Sequence, residues 1–241
     1  MSPAACYLGG DVTSIQAVLD RLEAIQLEID TNGPGHPDGI GCFNVLYTDI
    51  TRQVKDGVDA KVYPDNEFMA ALDVAFANRY FAALRQDAQG PGPAPFPWKV
   101  LIDRRRDTSI FELQFAAAGV NAHIDFDLAA AVVEVWKGPC HGGPHDGVQH
   151  ATYQQIDQVF AREMSKLRHE YETKDLSRFD QGVVTKVLNF VSDWTVNLTR
   201  DIAWGHASRM WDLRHLGVDQ AYMDALSVSA GAIGEGLLRT V

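Results

Sequence analysis

The sequence predicts an all-α protein, a single-domain bundle of about six to eight helices around a buried central helix. Apolar residues recur at spacings of three and four in nearly every segment, and the period-two alternation of half-buried strands never lasts more than a few residues. The chain has 241 residues, 46% hydrophobic and 22% charged, so it can bury most of its apolar surface without metals or disulfides. No internal repeat is visible, and residues 1–241 read as one domain.

The first predicted helix runs from Val12 to Asp30. Ile15, Val18, Leu19, Leu22, Ile25 and Ile29 form one stripe after a Thr13/Ser14 start signal, and TNGPGHPDG ends it. A second, about Cys42 to Lys55, carries Phe43, Leu46, Tyr47, Ile50 and Val54. A third, about Asp65 to Arg85, carries Phe68, Met69, Leu72, Phe76, Tyr80 and Leu84. The stretch AQGPGPAPFPW, residues 88–98, is too rich in Pro and Gly for a helix. The helices before it would make a poor core alone, so it reads as a long crossover within one bundle. Helices then follow at about Thr108–Trp136, Ala151–Glu172, Gln181–Arg214 and Asp219–Arg239, with a His/Gly-rich loop at 138–150. Gly119, Gly182, Gly205 and the GAIGEG pattern mark kinks or close helix packing.

The segment 108–136 is the informative one. On a helical wheel Phe111, Phe115, Ala118, Ala122, Phe126, Ala129, Val133 and Trp136 share one broad face, and Val120, Ile124, Leu128 and Ala131 lie opposite. A helix apolar on two faces is enclosed by neighbours on both sides, so the polar residues between those faces are expected to be buried or to line a cavity. Gln114, Asn121 and Asp125 form one such stripe, and His123, Asp127 and Glu134 the other. His123 and Asp127, at i,i+4, lie within side-chain reach. Buried carboxylates are costly unless they are paired, ligate a metal or perform chemistry. Three readings follow: a register-holding pair, a general acid/base dyad in which Asp127 orients His123, or part of a metal site. A metal needs more ligands, and the chain has no HExxH and no repeated ExxH pair.

Other polar residues sit among apolar ones. Asp193, Asn197, Arg200 and Trp204 fall on one stripe, where Arg200 can hold a carboxylate or phosphate or neutralise Asp193 or Asp201. Asn44 and Tyr47 in CFNVLY, and Asn78 and Arg79 in FANRYF, are set among aromatics, where most such groups serve internal hydrogen bonds. His206 is open as a ligand or surface residue. His141, His145 and His150, with Asp146, read as a solvated or substrate-covering loop rather than a metal site. The Arg104–Arg106 run reads as a solvated face that an anionic ligand could use.

Composition removes several function classes. With 21 Lys+Arg against 32 Asp+Glu the net charge is −11, so nucleic acid and anionic membranes are not expected partners. Cys6, Cys42 and Cys140 are an odd number at unrelated spacings, which encodes neither a disulfide framework nor a CxxC site. Cys42 reads as a small buried hydrophobe and Cys140 as an incidental loop thiol. MSPAACYLGG lacks a basic n-region and no later stretch approaches eighteen uncharged apolar residues, so the expected compartment is the cytoplasm. No GxGxxG, Walker loop or GxSxG elbow is present, which disfavours dinucleotide, NTP and α/β-hydrolase chemistry.

The pattern CFNVLYTDIT, then FMAALDVAFANRYFAAL, then QFAAAGVNAHIDFDLAAAVV resembles a bacterial and fungal family of helical proteins of unknown function, over about residues 10–215. The likeness rests on FN-x2-Y and NAHI-x2-DL, here Phe43, Asn44, Tyr47 and then Asn121, Ala122, His123, Ile124, Asp127, Leu128. The family usually carries Asn at the position of Asp125, so the resemblance assigns that residue no role. It implies a helical fold and no reaction.

The leading expectation is a cofactor-independent enzyme of cyclase, isomerase or lyase type, acting on a small, natural-product-like apolar metabolite. His123 is the expected acid or base and Asp127 its orienter. Asn44, Tyr47, Asn121, Arg79, Arg200 and Trp204 are the expected substrate-binding residues. No cofactor or metal is expected, the partner is a small molecule, and a homodimer is left open. The alternatives are a metal-dependent hydrolase or oxygenase using His123 and Asp127 with a third ligand such as His206, and a non-catalytic binding or scaffold protein.

Overall fold

The computed structural model of the chain describes residues 5–240 apart from 34–36, 91, 139, 141, 175, 178 and 194–197, and the side chains of all of these but 5, 157, 192, 193 and 198–200. The described residues contain helices and no strand. They are α1 (Ala5–Leu8), α2 (Ile15–Asn32), α3 (Gly39–Asp59), α4 (Asn66–Gln89), α5 (Phe96–Arg104), α6 (Glu112–Asn121), a π turn (Ala122–Asp127), α7 (Leu128–Lys137), α8 (Gly147–Thr173), α9 (Gln181–Asp193), α10 (Leu198–Leu213), a 3-10 turn (Arg214–Leu216) and α11 (Asp219–Leu237). This is an all-α fold with a few more helices than the expected six to eight.

Side-chain caps set the starts of several helices. Ser14 accepts from the Ala17 N–H, Asp38 from Ile40 and Gly41, Asp65 from Phe68, and Asp146 from Val148 and Gln149. Each such cap contributes about 1 kcal/mol. The Asp146 cap explains why α8 begins four residues ahead of its expected start and takes the end of the His/Gly loop into the helix.

The crossover needs the largest correction. Phe96–Arg104 is a helix, because Pro97 falls in its first turn, where a backbone N–H has no helical partner to lose. Trp98, expected within the loop, is fully buried. The expected helix at 181–214 is described as α9 and α10, with the residues between them outside the described set.

Both apolar faces of the central rod are covered, as its wheel requires. α6 is packed by α3, α5 and α11, while α7 is packed by α4 and α10. Glu134, expected on an inner stripe, is exposed. The rod Glu112–Lys137 is long and apolar enough to cross a membrane, yet nearly all of it is buried inside the protein. One large hydrophobic cluster runs from Val12 to Leu238.

The approach of α3 to α6 depends on Gly119. A Cβ there would lie 2.5 to 2.7 Å from Phe43 side-chain atoms, including Phe43 Cβ, which cannot swing away. Gly119→Ala is therefore expected to cost about 1–3 kcal/mol in urea unfolding, by forcing α3 off α6. Gly236→Ala, whose Cβ would meet nothing within 4 Å, is expected to gain up to about 1 kcal/mol from helix propensity alone. Equal effects at the two positions would contradict the close-packing account.

Candidate functional site

At the middle of the rod the helix widens. The Leu128 N–H bonds to the His123 carbonyl, an i→i+5 closure, and the π turn spans AHIDFD. Single π turns inside α-helices are rare and concentrate at functional sites. This one carries both His123 and Asp127.

Asp127 is buried and serves three donors. Its Oδ2 accepts from Trp98 Nε1–H at 2.8 Å and lies 3.2 Å from His123 Nδ1, and its Oδ1 accepts from Arg79 Nε–H at 3.2 Å. Arg79, whose side chain is 26% exposed, compensates the buried carboxylate and keeps its own route to water. An ionised carboxylate only accepts, so the His123 proton resides on Nδ1 and Nε2 carries a lone pair.

Aromatic rings fix the imidazole. Phe76 stacks on it with centroids 3.4 Å apart and planes 7° from parallel, while Tyr47 meets it edge-on at 4.7 Å. Phe43 and Trp98 close the cage at 5.6 and 5.8 Å. Burial pushes the His123 pKa below its ordinary value; the Asp127 hydrogen bond and charge act the other way, and the Arg79 charge adds to the lowering. The ring is neutral at pH 7.

His123 lines a small cavity of about 60 Å³ enclosed by α3, α4, the π turn and α8. Its wall is apolar except for Tyr47, Asp73 and His123. The Nε2 of His123 and Oδ2 of Asp73 are buried without a hydrogen-bond partner, whereas the buried Tyr47 hydroxyl interacts with the neighbouring Thr51 hydroxyl. Burial pushes the Asp73 carboxyl up to about 7. Burial, then the nearby Asp73 charge, raises the Tyr47 phenol well above its ordinary value. Leu46 is shared by this wall and that of a surface cleft of about 770 Å³ bordered by α2, α3 and α8, so the cleft ends one side chain from the cavity.

Asp73 was not among the sequence candidates. The signal was present: Met69, Asp73, Phe76 and Tyr80 follow one another at spacings of four, three and four, which puts a carboxylate on an apolar helix face.

The other candidates are placed elsewhere or hold the bundle together. Asn44 donates to the Leu22 carbonyl and to Gln26 and accepts from the Tyr80 hydroxyl, joining α3 to α2 and α4. Asn121 donates to the Ala230 carbonyl and Gln114 to those of Leu237 and Arg239, which pins α11 to the rod. Asp125, beside them on the wheel, is partly buried, and burial raises its carboxyl to about 7. Arg79 faces Asp127 rather than the cavity. Trp204 packs on Trp136, Tyr153 and His150, away from the cavity wall. The side chains of Asp193 and Arg200, and all of Asn197 and His141, lie outside the described residues.

His206 Nδ1 lies 2.8 Å from the Tyr222 hydroxyl, and His145 is exposed. Among the described residues no three His, Cys, Asp or Glu side chains gather as metal ligands. In the arginine run, Arg105 binds both oxygens of the buried Asp38 and Arg104 reaches Asp107 and the Leu238 carbonyl, so only Arg106 matches the expected solvated face. Cys42 is partly buried, with its thiol pushed up to about 12 by burial.

A family model described as a family of unknown function (DUF5995) matches residues 15–240 and so takes in both the site and α11. No curated protein and no solved structure matches the chain.

Proposed function

We propose, for a chain that belongs to the DUF5995 family of unknown function, that it is a cofactor-independent enzyme that moves a proton on a compact, largely apolar small molecule. The reaction is then an isomerisation, cyclisation or elimination. The observation that carries the reading is the lone pair of His123 Nε2, buried without a partner on the wall of an apolar cavity. Leaving a buried acceptor unpaired costs about 1–3 kcal/mol, a cost that core packing alone would not retain. His123 acts as the base, Asp127 orients it from Nδ1, and Arg79 and Trp98 hold Asp127. Substrate is supplied from the cleft past Leu46. A volume of about 60 Å³ fits a substrate of a few heavy atoms, not an extended natural product.

The test is His123→Asn, whose amide preserves a donor for Asp127 and removes the Nε2 lone pair. A substrate is first identified as a compound in cell extracts that the wild-type protein depletes. Turnover of that compound by the variant is expected to fall by about a hundredfold or more with unfolding temperature retained. Unchanged turnover would remove the acid/base role. A second reading, a non-catalytic binding or scaffold protein, is favoured by the small cavity. It predicts that no extract compound is depleted.

A further inference from the structure

We propose that Asp73 is the second proton-handling group of this cavity and that the ligand is a compact, uncharged, enolisable ketone. The carbonyl oxygen takes the Asp73 hydrogen bond and an α-hydrogen faces His123 Nε2. The inference rests on the reading of His123 as the base and adds to it the chemical class of the substrate.

The wall determines the class by elimination. Phe43, Ile50, Leu72, Phe76, Val120 and Phe160 offer no hydrogen bonds, so every polar contact comes from Tyr47, Asp73 and His123. His123 Nε2 can only accept, and the Tyr47 hydroxyl can donate or accept. Asp73, on α4, faces this space with an unpartnered oxygen, and its titratable neighbours are Tyr47 from α3, Tyr63 from the α3–α4 loop and His123 from the π turn. None of these is a cation, and burial alone holds the carboxyl protonated up to about pH 7, so it donates. The matching ligand presents one acceptor oxygen and one acidic hydrogen on an otherwise apolar body. An anionic ligand would find no counter-ion, because the Arg79 and Asp127 charges pair with each other behind the imidazole, and a cationic one would have to ionise the Asp73 carboxyl against the burial that keeps it protonated. The volume holds on the order of four waters, or a ligand of about six heavy atoms.

The step balances without a co-reactant. The α C–H bond breaks, its proton goes to His123 Nε2, and its electron pair forms the C=C bond. The carbonyl π electrons move to oxygen, which takes the Asp73 proton to give the enol. Reversal returns the oxygen-bound proton to Asp73 and delivers the Nε2 proton to carbon, at the α position or, in a conjugated ketone, at the γ position. No atom is oxidised. A neutral buried carboxylic acid donating to a developing enolate is an established catalytic arrangement in other enzymes.

The probe is cyclopentanone, with six heavy atoms, incubated with the intact protein in D2O at neutral pD. Binding is read by saturable chemical-shift changes, and proton transfer by loss of the α-hydrogen signal. Wild type is expected to bind it and to exchange its α-hydrogens about a hundredfold or more above buffer. Asp73→Asn, which retains a donor but no transferable proton, is expected to bind and lose the exchange, and Asp73→Leu to lose both. An infrared carbonyl stretch of a protonated carboxyl at pH 6, absent from Asp73→Asn and shifted by cyclopentanone, reports Asp73 without any turnover. Wild-type binding equal to that of methylcyclopentane, no binding at all, or an Asp73→Leu variant that behaves as wild type would each overturn the inference. His123→Asn separates the two readings: if it retains full exchange the base assignment fails, while loss of binding in Asp73→Leu still upholds the Asp73 contact.

Discussion

Asp127→Ala is expected to lower the unfolding free energy by about 3–5 kcal/mol at pH 7, the largest loss of any single substitution at the site. Three donors lose their acceptor at once, and two of them, Trp98 Nε1 and His123 Nδ1, are buried where water cannot replace it. The third, Arg79, turns to solvent through its exposed quarter and contributes less. Urea unfolding measures the effect, and the pairing makes a second demand on it. Trp98→Phe, which removes one hydrogen bond to a charged acceptor, is expected to cost about 1.5–3 kcal/mol alone and far less on the Asp127→Ala background. Additive losses would mean that the indole and the carboxylate do not act as a unit.

Asp73→Asn is expected to move stability in the opposite direction, and only as pH rises above about 4. The Asp73 carboxyl sits at about 7 in the fold against 3.8 for an unperturbed aspartate, so the folded protein holds a proton that the unfolded chain releases. Below about pH 4 both states are protonated and ionisation has no effect on stability. As pH rises toward 7 the unfolded chain gains from ionising while the fold does not, so wild-type stability falls, and above 7 the loss is complete. Its full size is on the order of 4 kcal/mol. The amide cannot ionise, so the advantage of Asp73→Asn grows between pH 4 and 7 and is constant above. Asp125, also raised to about 7, acts equally in both proteins and cancels in the difference. A pH-independent difference would contradict a buried, protonatable Asp73.

The fold was legible because its signals are local. The spacing of apolar residues marked the helices, and Ser14 marked a start that the structure places at the same residue. The two-faced wheel of 111–136 revealed a central rod with a His/Asp pair inside it. Trp98 was missed because Pro and Gly content was read as excluding a helix, whereas Pro97 occupies the one turn that tolerates it. The π turn was not legible at all, since a ring closed one residue late leaves no mark in hydrophobic periodicity. Asp73 was overlooked for a different reason: a carboxylate on an apolar face is an informative exception, and attention to the apolar residues alone passes over it. The polar groups Asn44 and Asn121 were selected by their setting, but what separates a packing amide from a binding one is which carbonyl lies opposite. That depends on tertiary contacts to α2 and α11.

The state of His123 tests the account most directly. Nitrogen-15 chemical shifts of the ring, assigned by comparison with His123→Asn, report which nitrogen carries the proton. At pH 7, above the lowered pKa of this buried imidazole, the expected result is a neutral ring with a protonated, pyrrole-like Nδ1 and an unprotonated, pyridine-like Nε2. A doubly protonated ring at that pH, or a proton on Nε2 with Nδ1 bare, would contradict it.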